Sequence, residues 1–211
     1  MPGARQDRGL DRLAGALQTF LGQDRLTHLL ARILTLADRL GKLPYKKLEE
    51  VAGEDSADLL LLSFQWKLLL PMRSSRGTLE WGDAMLLLQP GETYKMPSVI
   101  RCLVEEARQT GHWEADKAIV AALRALGEPE LEKMPELVQR LKEESRNYVI
   151  NAVQIEKICR ELGLENRVNP IIAELKGSGV LSPKVSSLTE VIREGSPLYE
   201  LNPSLFPGQP S

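Results

Sequence analysis

The chain has 211 residues, 43% hydrophobic and 27% charged, with a formal net charge of −2 at pH 7. This is the composition of an ordinary soluble globular protein of one large or two small domains. Near-neutrality excludes a protein that coats nucleic acid through bulk charge, so any DNA binding must come from a local patch. Aromatics make up only 5%, and an apolar fraction dominated by Leu, Ile, Val and Ala favours helices over a β-sandwich.

In chain order, Leu10, Leu13, Leu17, Phe20 and Leu21 recur at helical spacing and predict an amphipathic N-terminal helix within residues 1–22. A second helix follows Gly22, striped by Leu26, Leu29, Leu30, Ile33, Leu36, Ala37 and Leu40, and ended by Gly41 and Pro44. A third compact helix runs from Pro44 to Gly53, and a fourth begins at Asp55 or Ser56 and reaches Trp66. Beyond it, LLLPMR and LEW read as two short strands joined by the SSRGT turn, the second passing into a helix at 82–88. Residues 23–90 therefore form a first unit. A helical connector spans 91–127, opening on the breaker-rich QPGETYKMPS and carrying helices at 98–110 and 115–126.

The second unit, 128–206, starts with a charged helix at whose start Pro129 and Pro135 stand, with Leu137, Leu141 and Val138 as its apolar seam. Val153, Ile155, Ile158 and Leu162 stripe the next helix, and Val168, Ile172 and Leu175 the one after. GVLSP begins a strand, a return strand lies near PLYELN, and residues 207–211 form a loose tail. Gly163 supplies the positive φ of a sharp inter-helix turn, Leu164 fills the angle between the helices, and Gly179 releases the chain into the strand. The apolar stripe of IEKICREL, the Gly163–Leu164 turn and the ELKGSGVL ending resemble the winged helix-turn-helix superfamily. The expected fold is mainly α with small β-hairpins: two winged-helix units joined by a helical spacer. Residues 26–88 carry a weaker version of the same order.

The resemblance implies a DNA-associated, transcription-regulator-like protein. Its recognition helix would present Asn166, Arg167, Asn169 and Lys176, with arginine suited to guanine and asparagine to adenine. Between Leu59 and Leu79 there is no acid, while Lys67, Arg73 and Arg76 supply positive charge around a turn, so Arg73 and Arg76 are candidate phosphate contacts. Against this reading, residues 147–211 carry six bases and seven acids. The helix SADLLLLSFQWK has almost no polar face, which suits burial or an interface. The alternative is a tandem winged-helix scaffold for protein–protein interaction without direct DNA binding, as in chromosome-condensing and membrane-sorting assemblies.

No catalytic, metal or cofactor site is expected. His28 and His112 have no ligand-type neighbours at metal spacing, and no P-loop, GxSxG or GxGxxG is present. The paired glutamates 49–50, 105–106 and 143–144 read as solvated faces. Trp66, Trp81 and Trp113 read as core or interface anchors. Cys102 and Cys159 lack framework spacing, so both are expected as reduced thiols in the cytoplasm. There is no apolar run of about 18 residues, so no membrane span is expected. The apolar surplus of the N-terminal helices predicts a homodimer anchored by Leu17, Phe20 and Trp66. In the competing arrangement, helices 98–126 fold back over the same residues and leave a monomer.

Overall fold

The computed structural model describes residues 3–22, 25–72, 81, 88, 90–184 and 195–208, without the side chains of 3–7 and 20. The chain is mainly helical, with two small antiparallel sheets. An N-terminal helix α1 (Gly3–Leu21) precedes α2 (Leu26–Leu40), β1 (Leu43–Pro44), α3 (Tyr45–Ala52), α4 (Ser56–Gln65), β2 (Leu70–Pro71) and β3 (Thr93–Lys95). Helices α5 (Ser98–Thr110) and α6 (Ala115–Arg124) come next. They are followed by α7 (Met134–Glu144), β4 (Val149–Asn151), α8 (Ala152–Glu161), α9 (Val168–Ser178), β5 (Leu181–Lys184) and β6 (Leu198–Leu201).

The order helix, strand, helix, helix, strand, strand thus occurs twice, in α2–β3 and again in α7–β6. The sheets share a topology as well. Their strand orders are β1-β3-β2 and β4-β6-β5, so the last strand of each unit lies between the other two.

Local chemistry explains the boundaries. Gly41, at φ 71°, ends α2 while its N–H reaches the Ala37 carbonyl at 2.9 Å. Pro44, extended at ψ 141°, pairs with Thr93 and also stands at the N-cap of α3, so one residue closes a strand and opens a helix. At the same place in the second unit, the Asn151 side chain accepts from Gln154 N–H at 2.8 Å and Gln154 returns a bond to Asn151 N–H at 3.1 Å. This reciprocal cap fixes the start of α8. Gly163 takes φ 68° and Leu164 is buried, as the turn between α8 and α9 requires.

Several expectations need correction. The strand that pairs with Leu70–Pro71 is Thr93–Lys95, inside what reads as connector, so the first unit runs past residue 90. Tyr94 points inward from this strand and is fully buried. Of the expected LEW strand only Trp81 is described; it lies in no strand and its N–H donates to Ser182 Oγ at 2.9 Å. The SSRGT turn and the proposed helix at 82–88 lie outside the described residues, apart from Leu88. Val153 does not belong to the α8 stripe: it is 59% exposed, and Ile155, Ile158 and Cys159 are the buried set. On α9 Ile171 is fully buried, while Val168 is half-buried.

One continuous core joins the two units, running from Leu13 in α1 to Phe206. Helix α5 packs on α1, α6 and α9, and α6 packs on α7 and α9. Leu17 is fully buried among these helices. Within the single chain Leu17 is covered, with α5 packed on α1. The side chain of Phe20 lies outside the described residues. Trp66 packs half-buried on the core, and its carbonyl accepts from the Ser204 hydroxyl, while Trp113 Nε1 donates to the Ser204 carbonyl at 2.8 Å. Both tryptophans thereby tie the chain's C-terminal segment to the first unit and the connector. Among the described residues, no helix is long and apolar enough to cross a membrane.

Candidate interaction surface

Helix α9 and the 3-10 turn before it (Glu165–Arg167) carry four of the candidate contact residues. Asn166 and Asn169 are exposed, and Lys176 is half-buried in the last turn. Pro170, Ala173 and Gly177 complete the exposed face. These are small neutral groups with no reach into a groove.

Arg167 is committed elsewhere. One guanidinium nitrogen donates to Glu128 Oε1, and the other lies 3.3 Å from Glu174 Oε1. The Glu128 side chain is 0% exposed, and its Oε1 also accepts from Glu130 N–H at 2.7 Å. Three elements therefore meet at one charge: the α6–α7 turn, the turn before α9, and α9 itself. Burial alone would raise the Glu128 carboxyl, but bonds from Glu174, the Glu130 N–H and Arg167 outweigh it and hold the carboxyl below its usual range. Glu174 moves the other way. Burial first, and then the neighbouring Glu128, push it up to about 7, against the pull of Arg167.

The C-terminal end of α9 is clamped as well. Ser98 Oγ donates to the Ser178 carbonyl at 3.0 Å, and a Cβ placed on Gly177 would lie 3.4 Å from Leu126. The hydrogen bond holds α9 to the connector, and there is little room for a side chain at Gly177.

Arg73 and Arg76 lie outside the described residues. They follow directly on β2, whose neighbour β3 presents the exposed Lys95. Close by is a cluster that sequence reasoning missed. Arg39, Lys42, Lys46 and Lys47 are exposed around the α2–β1–α3 corner, and the strand register brings Lys42 beside Lys95. Of these five cations only Lys47 has an ion-pair partner among the described residues, Glu50 at 2.7 Å. The signal was present in RLGKLPYKK, residues 39–47, which holds four cations and no acid. On α4, the helix equivalent to α9, the outward face is Ala57, Asp58, Leu61 and Gln65, with Leu61 60% exposed.

The chain belongs to a protein family whose model matches residues 15–207. The match begins within α1 and ends just beyond Phe206, so both units and the helices between them make up one family unit. No curated protein and no solved structure matches the chain.

His28 and His112 are both exposed, and among the described residues no three His, Cys, Asp or Glu side chains converge as a metal site. Both cysteines are free. Burial, then Glu156, raises the Cys159 thiol to about 11, and burial also raises Cys102. At pH 8 the native protein should therefore leave Cys159 unmodified by a thiol reagent, since the thiolate is the reactive form. Denaturation without reductant should expose two thiols. Rapid labelling of native Cys159, or fewer than two thiols after denaturation, would contradict this.

Proposed function

We propose that the chain is a non-catalytic interaction module built from two winged-helix units, docking a protein partner rather than reading DNA bases. The twice-used helix-strand-helix-helix-strand-strand order, with the last strand central in both sheets, supports the winged-helix assignment. The observation that carries the functional reading is the fate of Arg167. The one arginine of the expected reading face, Arg167 in the turn before α9, is engaged by Glu128 and Glu174, and removing it from a buried carboxylate to contact guanine would cost several kcal/mol. The equivalent face of α4 offers an exposed leucine where a DNA reader needs polar groups. Two free cysteines support a reducing compartment, and we take it to be the cytoplasm.

A second reading rests on the cationic corner. Arg39, Lys42, Lys46 and Lys95 suit contact with a phosphate backbone without sequence readout. A gel shift on random duplex DNA over a salt series separates the two. The scaffold reading expects no retardation even at about 50 mM salt. Retardation that weakens steeply with salt and disappears in a Lys42→Glu, Lys46→Glu double variant would establish the DNA-associated reading instead. Light scattering covers the case in which the partner is a second copy, because a monomer has a mass of 23.5 kDa.

A further inference from the structure

The Arg167 cluster contains an imbalance that its ion pairs do not resolve. Two carboxylates face one guanidinium, and each uses only one oxygen on it. The other oxygens, Glu128 Oε2 and Glu174 Oε2, are both buried and meet no hydrogen-bond donor among the described residues. Buried carboxylate oxygens rarely go unsatisfied, because an unmet acceptor carries its full desolvation penalty. Both carboxyl groups are held on the same Arg167 guanidinium, so they face the same small, enclosed space. A proton is the one donor that would satisfy both orphan oxygens at once and leave the cluster electrically neutral. We propose that Glu128 and Glu174 share a single proton between their Oε2 atoms, and that losing this proton to water unlatches α9 from the α6–α7 turn.

The proton belongs on Glu174. Glu128 is fully enclosed and held in its ionised form by Arg167 and by the Glu130 N–H, whereas the Glu174 side chain is 19% exposed and receives no backbone donor among the described residues. This is the arrangement of two acids in one site, where like charge lets one ionise easily and the other only reluctantly. Although α5, α6, α8 and β5 all pack on α9, the charged groups acting on Glu174 are Glu128 from the α6–α7 turn and Arg167 from the turn before α9. The sign follows from the raised carboxyl. Folded Glu174 holds its proton up to about 7, whereas the free side chain loses it near 4.5. Docking of α9 is therefore firm in mild acid and weakens as pH rises through that window. When the proton leaves, Glu174 is the group able to swing towards solvent, and Arg167 then loses one of its two partners. The inference does not depend on the partner class proposed above.

Carboxyl-carbon NMR on the full chain tests it directly. One glutamate should titrate with a midpoint close to 7; if every glutamate titrates between about 4 and 5, the ordinary range, the shared proton does not exist. Hydrogen exchange then tests the latch. Protection of the α9 amides in the wild type should fall by up to about tenfold per pH unit between pH 5 and 7. In Glu174→Gln the amide keeps a permanent donor towards Glu128, so protection should stay level across the same range. An equal loss in both proteins would overturn the latch. Should the variant fail to fold, the wild-type titration decides alone.

Discussion

Arg167→Ala should destabilise the protein by about 3–5 kcal/mol, the usual consequence of leaving a buried charge without its partner. Glu128, 0% exposed, would keep only the Glu130 N–H among the donors that reach it from the described residues. The loss should also depend on pH in a defined direction. In the wild type the Glu128 carboxyl is held low, so its stabilising contribution is present above about 4.5 and disappears as pH falls. In the variant burial acts unopposed by Arg167 and raises the same carboxyl, so ionised Glu128 becomes a burden that protonation relieves. The gap between the two proteins should therefore be widest at pH 7–8 and narrow towards pH 4–5. Urea denaturation at a series of pH values measures it. A surface ion pair would cost about 1 kcal/mol or less at every pH, and that result would remove Arg167 from the structural core.

Adding Glu128→Leu to Arg167→Met separates charge from packing. Replacing both members of a buried pair with apolar groups of similar size is often neutral or stabilising. Most of the single-variant loss should return in the double variant, with an interaction energy of about 0.5–3 kcal/mol in the cycle.

The helices were legible because their periodicity repeats over many residues. Leu30, Ile33 and Ala37, and later Leu137 and Leu141, recur at three- and four-residue intervals, and all are buried. Strands of two or three residues leave no such trace. Leu43–Pro44 looks like a helix boundary, and Thr93–Lys95 hides between Gly91 and Pro97, because alternation with a period of two cannot show itself in so short a span. Val153 was misread for a different reason. Asn151 and Gln154 form a capping box whose N-x-x-Q spacing is visible in the sequence, and once Asn151 is the cap, Val153 falls in the first turn on the solvent side. At the site, the exposure of Asn166 and Asn169 was readable from the α9 stripe. The engagement of Arg167 was not, since Glu128 lies 39 residues away in sequence and only the packing of α6 against α9 brings them together. Charge counting gave a near-neutral second unit, but it could not say that its central arginine is already paired.

Gly179→Ala should destabilise the protein by about 2–4 kcal/mol, for two reasons that add. Gly179 ends α9 at φ 82°, in the left-handed region, where a residue with a Cβ costs about 1–2 kcal/mol. A Cβ built there would lie 2.5 Å from Cβ of Pro97, far inside van der Waals contact. Proline cannot swing its ring aside, so the backbone must move, and forced overpacking adds about 1–3 kcal/mol. The displaced backbone is also the seam between the units. Ser98 bonds the Ser178 carbonyl, and Asn202 donates to the Gly179 carbonyl at 3.1 Å, so the clash would pull on the joint with the connector and on the C-terminal segment together. Gly163→Ala is the control: it shares the left-handed backbone, at φ 68°, but a Cβ there meets nothing within 4 Å. It should lose only the conformational part. Thermal unfolding of the pair at one pH gives the comparison, and equal losses would mean that the contact between Pro97 and α9 does not brace the two units.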